Sequence, residues 1–179
     1  MNQSSALYGK SFYDLAKEEK ITKEVLEEMG LVKALFRENP DYIRLLLEPS
    51  IPKKERLSLL DQAFSEDLQP YLLNFLKVLL EKGLLRSYSE CYKTYKKRYQ
   101  EDEGITDALV VSAVALSEEQ KAALIAKLEK LCQKKIILSE KIDPEVLGGL
   151  KVEVDGKTLD GTVSGRLKEI RKNVNEVVL

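Results

Sequence analysis

Five residues fix the character of the second half of this chain. Leu150, Val152 and Val154 alternate with Lys151 and Glu153, the period of a strand with one face buried and the other in water. Directly behind them stands Asp155-Gly156, a two-residue turn signal, because a type I′ hairpin needs positive φ at both central residues. The strand therefore folds back, and its return partner is short, Thr158 to Leu159. Ahead of it lies Gly148-Gly149, which reads as backbone in close packing or at positive φ. Further upstream, a strand-like segment with Ile136, Leu138 and Ile142 ends at the breaker pair Asp143-Pro144. After the hairpin, Asp160-Gly161 and residues 162–165 lead into a helix carrying Leu167, Ile170 and Val174 on one side.

The segment before this run completes a small domain. Residues 105–116 read as a strand with Leu109, Val111 and Ala113 on one face. Ser117 and Gln120 form a capping box that opens a helix with Leu124, Leu128 and Leu131. Lys130, Lys134 and Lys135 gather where that helix ends, as its dipole favours. Strand, helix, strand, hairpin, helix make an α+β unit over 105–179 with a mostly antiparallel sheet. At roughly 70 residues it is small but feasible.

Residues 1–104 carry helical periods and helix punctuation instead, and predict a six-helix bundle. The first helix runs from about Ala6 to Glu19, with Tyr8, Phe12 and Leu15 in one stripe. In the second, Val25, Met29, Val32 and Phe36 follow Thr22, which has the chemistry of an N-cap. Asn39-Pro40 ends it and opens a short third helix, and Pro52 suits the first position of a fourth. The fifth, about Leu68 to Lys82, leaves almost no polar face, so its own bundle or a partner must cover it. Gly83 stops it. The sixth, about Leu85 to Glu101, spaces Tyr88, Tyr92, Tyr95 and Tyr99 at heptad-like intervals beside the basic run from Lys93 to Arg98.

Reactive chemistry is hard to find. The chain has no histidine, which removes the commonest acid–base group near neutral pH and the usual zinc sites. Cys91 and Cys132 are far apart in sequence and read as reduced, inert thiols. Gly156-Lys157-Thr158 imitates the end of a phosphate-binding loop, but Lys151 stands where that motif requires glycine, and no helix follows. Gly148-Gly149 opens a strand, where a dinucleotide fingerprint would open a helix. Adjacent carboxylates such as Glu27-Glu28 diverge on a helix. No catalytic residue, metal or cofactor is expected.

Binding to another macromolecule remains. Net charge is −1, so no global field favours nucleic acid, and no run reaches the ~18 apolar residues of a membrane span. The amino-terminal residues lack a signal or transit pattern, and the chain reads as cytoplasmic. One reading makes it a helical adaptor that grips nucleic acid through Lys93 to Arg98; Glu90 and residues 101–103 would blunt that attraction. The other uses the surplus apolar surface of the first and fifth helices as a groove for a foreign amphipathic helix.

The signatures favour the second reading. The glycine pair, the alternating strand, the Asp-Gly turn and the string from Leu159 to Leu167 resemble the C-terminal signature of the delta subunit of F-type ATP synthases, the family of the oligomycin-sensitivity-conferring protein. Thr162 stands where that family usually has serine. Tyr8 to Ala16 is similar to the family's first helix, with Gly9 and Ser11 replacing alanines; Asn74 to Gly83 is similar to its fifth. Ser112 to Gln120 is similar to its strand-to-helix junction. The resemblance implies a non-catalytic stator subunit, peripheral on the cytoplasmic side of the cell membrane without inserting into it. Its N-terminal domain binds alpha subunits of the catalytic head, and its C-terminal domain meets the b-type peripheral stalk. On that basis Tyr8, Phe12 and Leu15, with Leu72, Leu76 and Leu79, are expected to line the head-binding groove. Gly148, Gly149, Asp160 and Arg166 are expected to maintain the C-terminal fold.

Overall fold

The computed structural model describes residues 3–146, 148–163 and 165. Contacts divide the chain into two units, Met1–Tyr99 and Gln100–Leu179. The first holds α1 (Gln3–Glu18), α2 (Thr22–Glu38), α3 (Pro40–Leu46), α4 (Lys53–Phe64), α5 (Pro70–Glu81) and a 3₁₀ turn (Leu85–Ser87). The sixth helix, α6 (Tyr88–Glu103), begins in it.

Helix punctuation lands close to where the sequence puts it. Pro40 and Pro70 open α3 and α5 at the first turn, where a missing N–H costs nothing. Gly83 takes φ +67° behind α5, and Leu84 N–H reaches back to the Leu79 carbonyl at 2.8 Å, a glycine-closed helix end. Two caps differ from expectation. Thr22 is the first residue of α2 and Ile21 the cap; the Ile21 side chain has no acceptor to offer and packs against the core instead. Asn39 donates its amide to the Leu35 carbonyl and so closes α2 instead of capping α3.

The core of this unit draws on every helix. Val25, Met29, Val32 and Phe36 are buried together, as their spacing predicts. The tyrosines of α6 face inward: Tyr88 and Tyr95 are buried, and Tyr92 and Tyr99 pack against the same core. Tyr88 Oη donates to the Met29 carbonyl at 3.1 Å and Tyr95 Oη to the Thr22 carbonyl at 3.0 Å, so two phenols tie α6 to α2. Burial pushes both phenols above their ordinary range. It also lifts the Cys91 thiol to about 11, which keeps it protonated, and it donates to the Ser5 carbonyl at 3.3 Å.

Gly9 lets α1 press on α6: a Cβ there would sit 2.5 Å from the Cys91 carbonyl oxygen. Backbone cannot yield as a flexible side chain would. Gly9→Ala should therefore destabilise the first unit by about 2 kcal/mol, the usual cost of overpacking a tight core, and lower its urea midpoint.

The second unit holds β1 (Ile105–Ser112), α7 (Glu118–Cys132), β2 (Lys135–Ile142), β3 (Leu150–Val154) and β4 (Lys157–Asp160). Among the described residues these strands form one sheet in the order β2-β1-β3-β4. The sheet is mixed. β3 pairs antiparallel with β1 and β4, yet the longest pairing, Ile105–Ser112 against Lys135–Ile142, is parallel. Two of the three pairings are thus antiparallel as expected, and the parallel one follows from α7, since a helical crossover returns the chain to run in the same direction. Val154 pairs with Lys157 across Asp155-Gly156, both at positive φ (50° and 74°), which is the expected hairpin.

Ala108 and Val110 of β1 face α7, with Leu128, Ile136, Val152 and Val154 completing that core. The stripe Leu109, Val111 and Ala113 lies on the other side; β1 is central and apolar on both faces, so alternation does not say which face meets the helix. The capping box of α7 is complete: Gln120 N–H donates to Ser117 Oγ at 3.2 Å, and Ser117 N–H to Gln120 Oε1 at 2.9 Å.

Glu140 of β2 latches the loop into α7. Its carboxylate accepts the Leu116 N–H at 2.6 Å and pairs with Lys121 at 3.1 Å. The Leu116 bond, then Lys121, holds the carboxyl below its ordinary range. A carboxylate favoured in the folded state stabilises above its unfolded-state value, and that contribution is lost as pH falls through the lowered folded value. Glu140→Gln should thus lower the urea midpoint by a constant amount around neutrality. The gap to the native chain should close only in acid, below the ordinary carboxylate range.

Candidate partner-binding groove

α1 and α5 lie side by side in the first unit, and a groove of about 320 Å³ runs between them. Tyr8, Ser11, Phe12 and Leu15 line it from α1; Tyr71, Asn74, Phe75 and Val78 line it from α5. Each set has the i, i+3, i+4, i+7 spacing of one helix face. Phe12 and Phe75 form its floor, stacked with centroids 4.2 Å apart and planes 5° from parallel. Both rings are nearly buried, whereas Leu15, Tyr71 and Val78 remain 39%, 38% and 40% exposed along the walls.

Three of the residues expected to line the groove do so: Tyr8, Phe12 and Leu15. The other three do not. Leu72, Leu76 and Leu79 are completely buried in the core of the first unit. They sit roughly 140–160° around α5 from Asn74 at 100° per residue, so they form the face that holds α5 in place. Sequence reasoning missed Ser11, Tyr71, Asn74, Phe75 and Val78. The signal was Asn74 itself, because an amide inside an apolar core needs partners, so its face of α5 turns outward.

The glycine signature builds a corner in the second unit. Gly148 and Gly149 take φ +96° and +85°, and a Cβ on Gly149 would lie 2.4 Å from the Gly161 carbonyl oxygen. Gly161 N–H donates to the Leu150 carbonyl at 2.9 Å and Val163 N–H to the Gly148 carbonyl at 3.1 Å. Asp160 Oδ1 accepts from Thr162 Oγ1 at 2.7 Å and Thr162 N–H at 3.0 Å, while Thr162 Oγ1 accepts the Gly165 N–H at 2.9 Å. The working group of Thr162 is its hydroxyl, so threonine in place of serine keeps the same bonds. Arg166 and the expected helix with Leu167 lie outside the described residues. A second cavity, about 410 Å³, opens beside this corner between Val114, Leu116, Leu124 and Leu150. No reading of the sequence anticipated it.

The basic run of α6 offers no nucleic-acid face. Tyr88 and Tyr95 are buried and Tyr92 and Tyr99 half-buried against the core, which leaves little ring surface to stack on bases. Lys93 pairs with Glu90 at 3.1 Å and Arg98 with Asp14 at 3.3 Å, and Lys96 and Lys97 also have partners. Among the described residues, no helix is long and apolar enough to cross a membrane, and no cluster of acidic and cysteine side chains is placed to hold a metal ion.

Residues 5–174 match the model of the family described as ATP synthase delta (OSCP) subunit. The ATP synthase subunit delta of Lactobacillus gasseri is 34% identical over 170 residues, 94% of this chain and 93% of that protein. The Clostridium botulinum (strain Langeland) protein of the same name is 33% identical over 165 residues, 92% of each. In fold, the chain is similar to one from the cryo-EM structure of the Toxoplasma gondii mitochondrial ATP synthase hexamer, with TM-score 0.75 and 16% identity over 95% of this chain and 96% of that one. Matched along nearly its whole length in both sequence and fold, the chain belongs to the ATP synthase delta (OSCP) subunit family, the non-catalytic peripheral-stalk component of F-type ATP synthases.

Proposed function

We propose that residues 1–104, as a six-helix bundle, hold the catalytic head by seating the N-terminal helical segment of an alpha subunit in the groove between α1 and α5. Residues 105–179 meet the C-terminal end of the b-type stalk. The subunit thereby joins head to stalk on the cytoplasmic side of the membrane, without inserting into it, and resists rotor torque while proton flow drives ATP synthesis.

The exposed walls of the groove carry this reading. A side chain such as Val78, left in water beside a stacked aromatic floor, gains free energy when an amphipathic helix covers it. A stator clamp needs slow dissociation, and apolar burial between preformed surfaces provides it, since most affinity differences reside in the off-rate.

Calorimetric titration of a peptide from the alpha N-terminal segment into the full chain tests the head contact. One-to-one saturation with a negative heat-capacity change, the mark of apolar burial, is expected. Absence of binding in both calorimetry and sedimentation would overturn the groove reading. Recovery of b-type stalk with the tagged chain from solubilised membranes, lost when 105–179 is deleted, tests the other contact.

A further inference from the structure

The groove between α1 and α5 is aliphatic and aromatic except at its middle. Ser11 stands on one wall and Asn74 on the other, both exposed. Each lies directly before a ring of the stacked floor, Phe12 and Phe75. With about 1.5 Å of rise per residue, the hydroxyl and the amide therefore flank the groove at the level of that stack. Tyr8 and Leu15 bound the α1 wall, and Tyr71 and Val78 bound the α5 wall. Covering a tyrosine near a mouth is cheap, because its ring can be buried while its hydroxyl stays wet. The short polar side chains at the middle have no such exit.

These two groups make unequal demands on whatever covers them. A serine on a helix can return its hydroxyl to the carbonyl one turn earlier, here that of Leu7. Asn74 presents two N–H donors and an acceptor oxygen on an amide that faces water. A helix laid across the groove with an unbroken apolar stripe would strip that water and leave the amide unpaired. That costs more than a made hydrogen bond returns. The apolar walls alone do not fix the register either, since a helix that slides by one turn, about 5.4 Å, buries a similar stripe. A single polar position can fix it, as a buried asparagine does between the helices of a coiled coil.

Resting on the groove reading above, we propose that Asn74, with Ser11 on the opposite wall, sets the register of the helix that docks in the groove. That helix carries one amide or hydroxyl side chain midway along its apolar stripe, and this side chain exchanges hydrogen bonds with the Asn74 amide. In this register the apolar residues on either side of it meet the aromatic floor and the walls. One turn away, both polar groups face hydrocarbon.

The sign of one substitution tests the assignment. Asn74→Leu keeps the branched outline of the side chain and removes the amide. Against a helix with only apolar side chains, the change would remove a desolvation cost and tighten binding. Against the helix proposed, it strands the partner's polar group, so calorimetry with the alpha N-terminal peptide and the full chain should show binding about tenfold weaker. Because Asn74 is exposed, circular dichroism and the urea midpoint should stay close to those of the native chain. Replacing each amide and hydroxyl residue of the peptide by leucine, one at a time, should find one that weakens binding to the native chain and restores it to Asn74→Leu. Tighter or unchanged binding by Asn74→Leu, or no restoring peptide residue, would overturn the assignment while leaving the groove reading intact. If the native chain does not bind the peptide at all, the groove reading falls and the role of Asn74 with it.

Discussion

Val78→Asp should leave the subunit folded and, on the proposed head contact, weaken its affinity for the alpha N-terminal peptide by about a hundredfold or more. Val78 is 40% exposed on the wall of the groove, so an aspartate there remains hydrated in the free chain. The folding cost is then close to that of an ordinary surface change on a helix, about 0.5 kcal/mol. Under a docked helix the same carboxylate would lose its water without a partner, at a cost of roughly 3–5 kcal/mol, which is more than a factor of a hundred in affinity. Circular dichroism and the urea midpoint check the first half of this expectation, and calorimetry the second. Leu76→Asp, two residues away and on the opposite side of α5, would also abolish binding, but for an uninformative reason. Leu76 is wholly buried, and a charge there would unfold the unit that presents the groove.

The second large effect belongs to the glycine corner. Gly149→Ala should destabilise the second unit by about 3–5 kcal/mol, combining strain at φ +85° with a Cβ driven into the Gly161 carbonyl and Thr162 Cα. Gly148 separates the two causes. It also has positive φ, but a Cβ there would meet only the Val163 side chain at 3.7 Å, an ordinary contact. Gly148→Ala should therefore cost only about 1 kcal/mol. Hydrogen exchange resolved along the chain measures both: amides of β1 and β3 should lose protection strongly in the first variant and weakly in the second, with α2 unaffected. Equal losses in the two variants would show that backbone strain, and not the close approach, sets the cost.

These cases show where sequence was enough. Asp155-Gly156 announced its hairpin because few residue pairs tolerate two positive φ angles, and Ser117 with Gln120 announced a helix start because both side chains have one geometric use. Val25 to Phe36 announced a buried stripe because the opposite face of that helix is charged. The failures share the opposite cause. α5 is apolar but for Asn74, Lys77 and Glu81, and β1 is apolar on both faces, so the apolar residues say that they are buried without saying which neighbour each one meets. The groove consequently took its α1 half from the sequence and its α5 half from the structure. Parallel pairing of β1 with β2 could be read only from the helix between them, since direction depends on the crossover and not on the residues of either strand.

Phe12 and Phe75 belong at once to the interior of the first unit and to the floor of the groove between α1 and α5. The unassembled subunit is thus a protein whose interior has been left open along one seam. On the proposed head contact, a helix laid over that seam would complete the interior, and assembly would then act as the last step of the subunit's own folding.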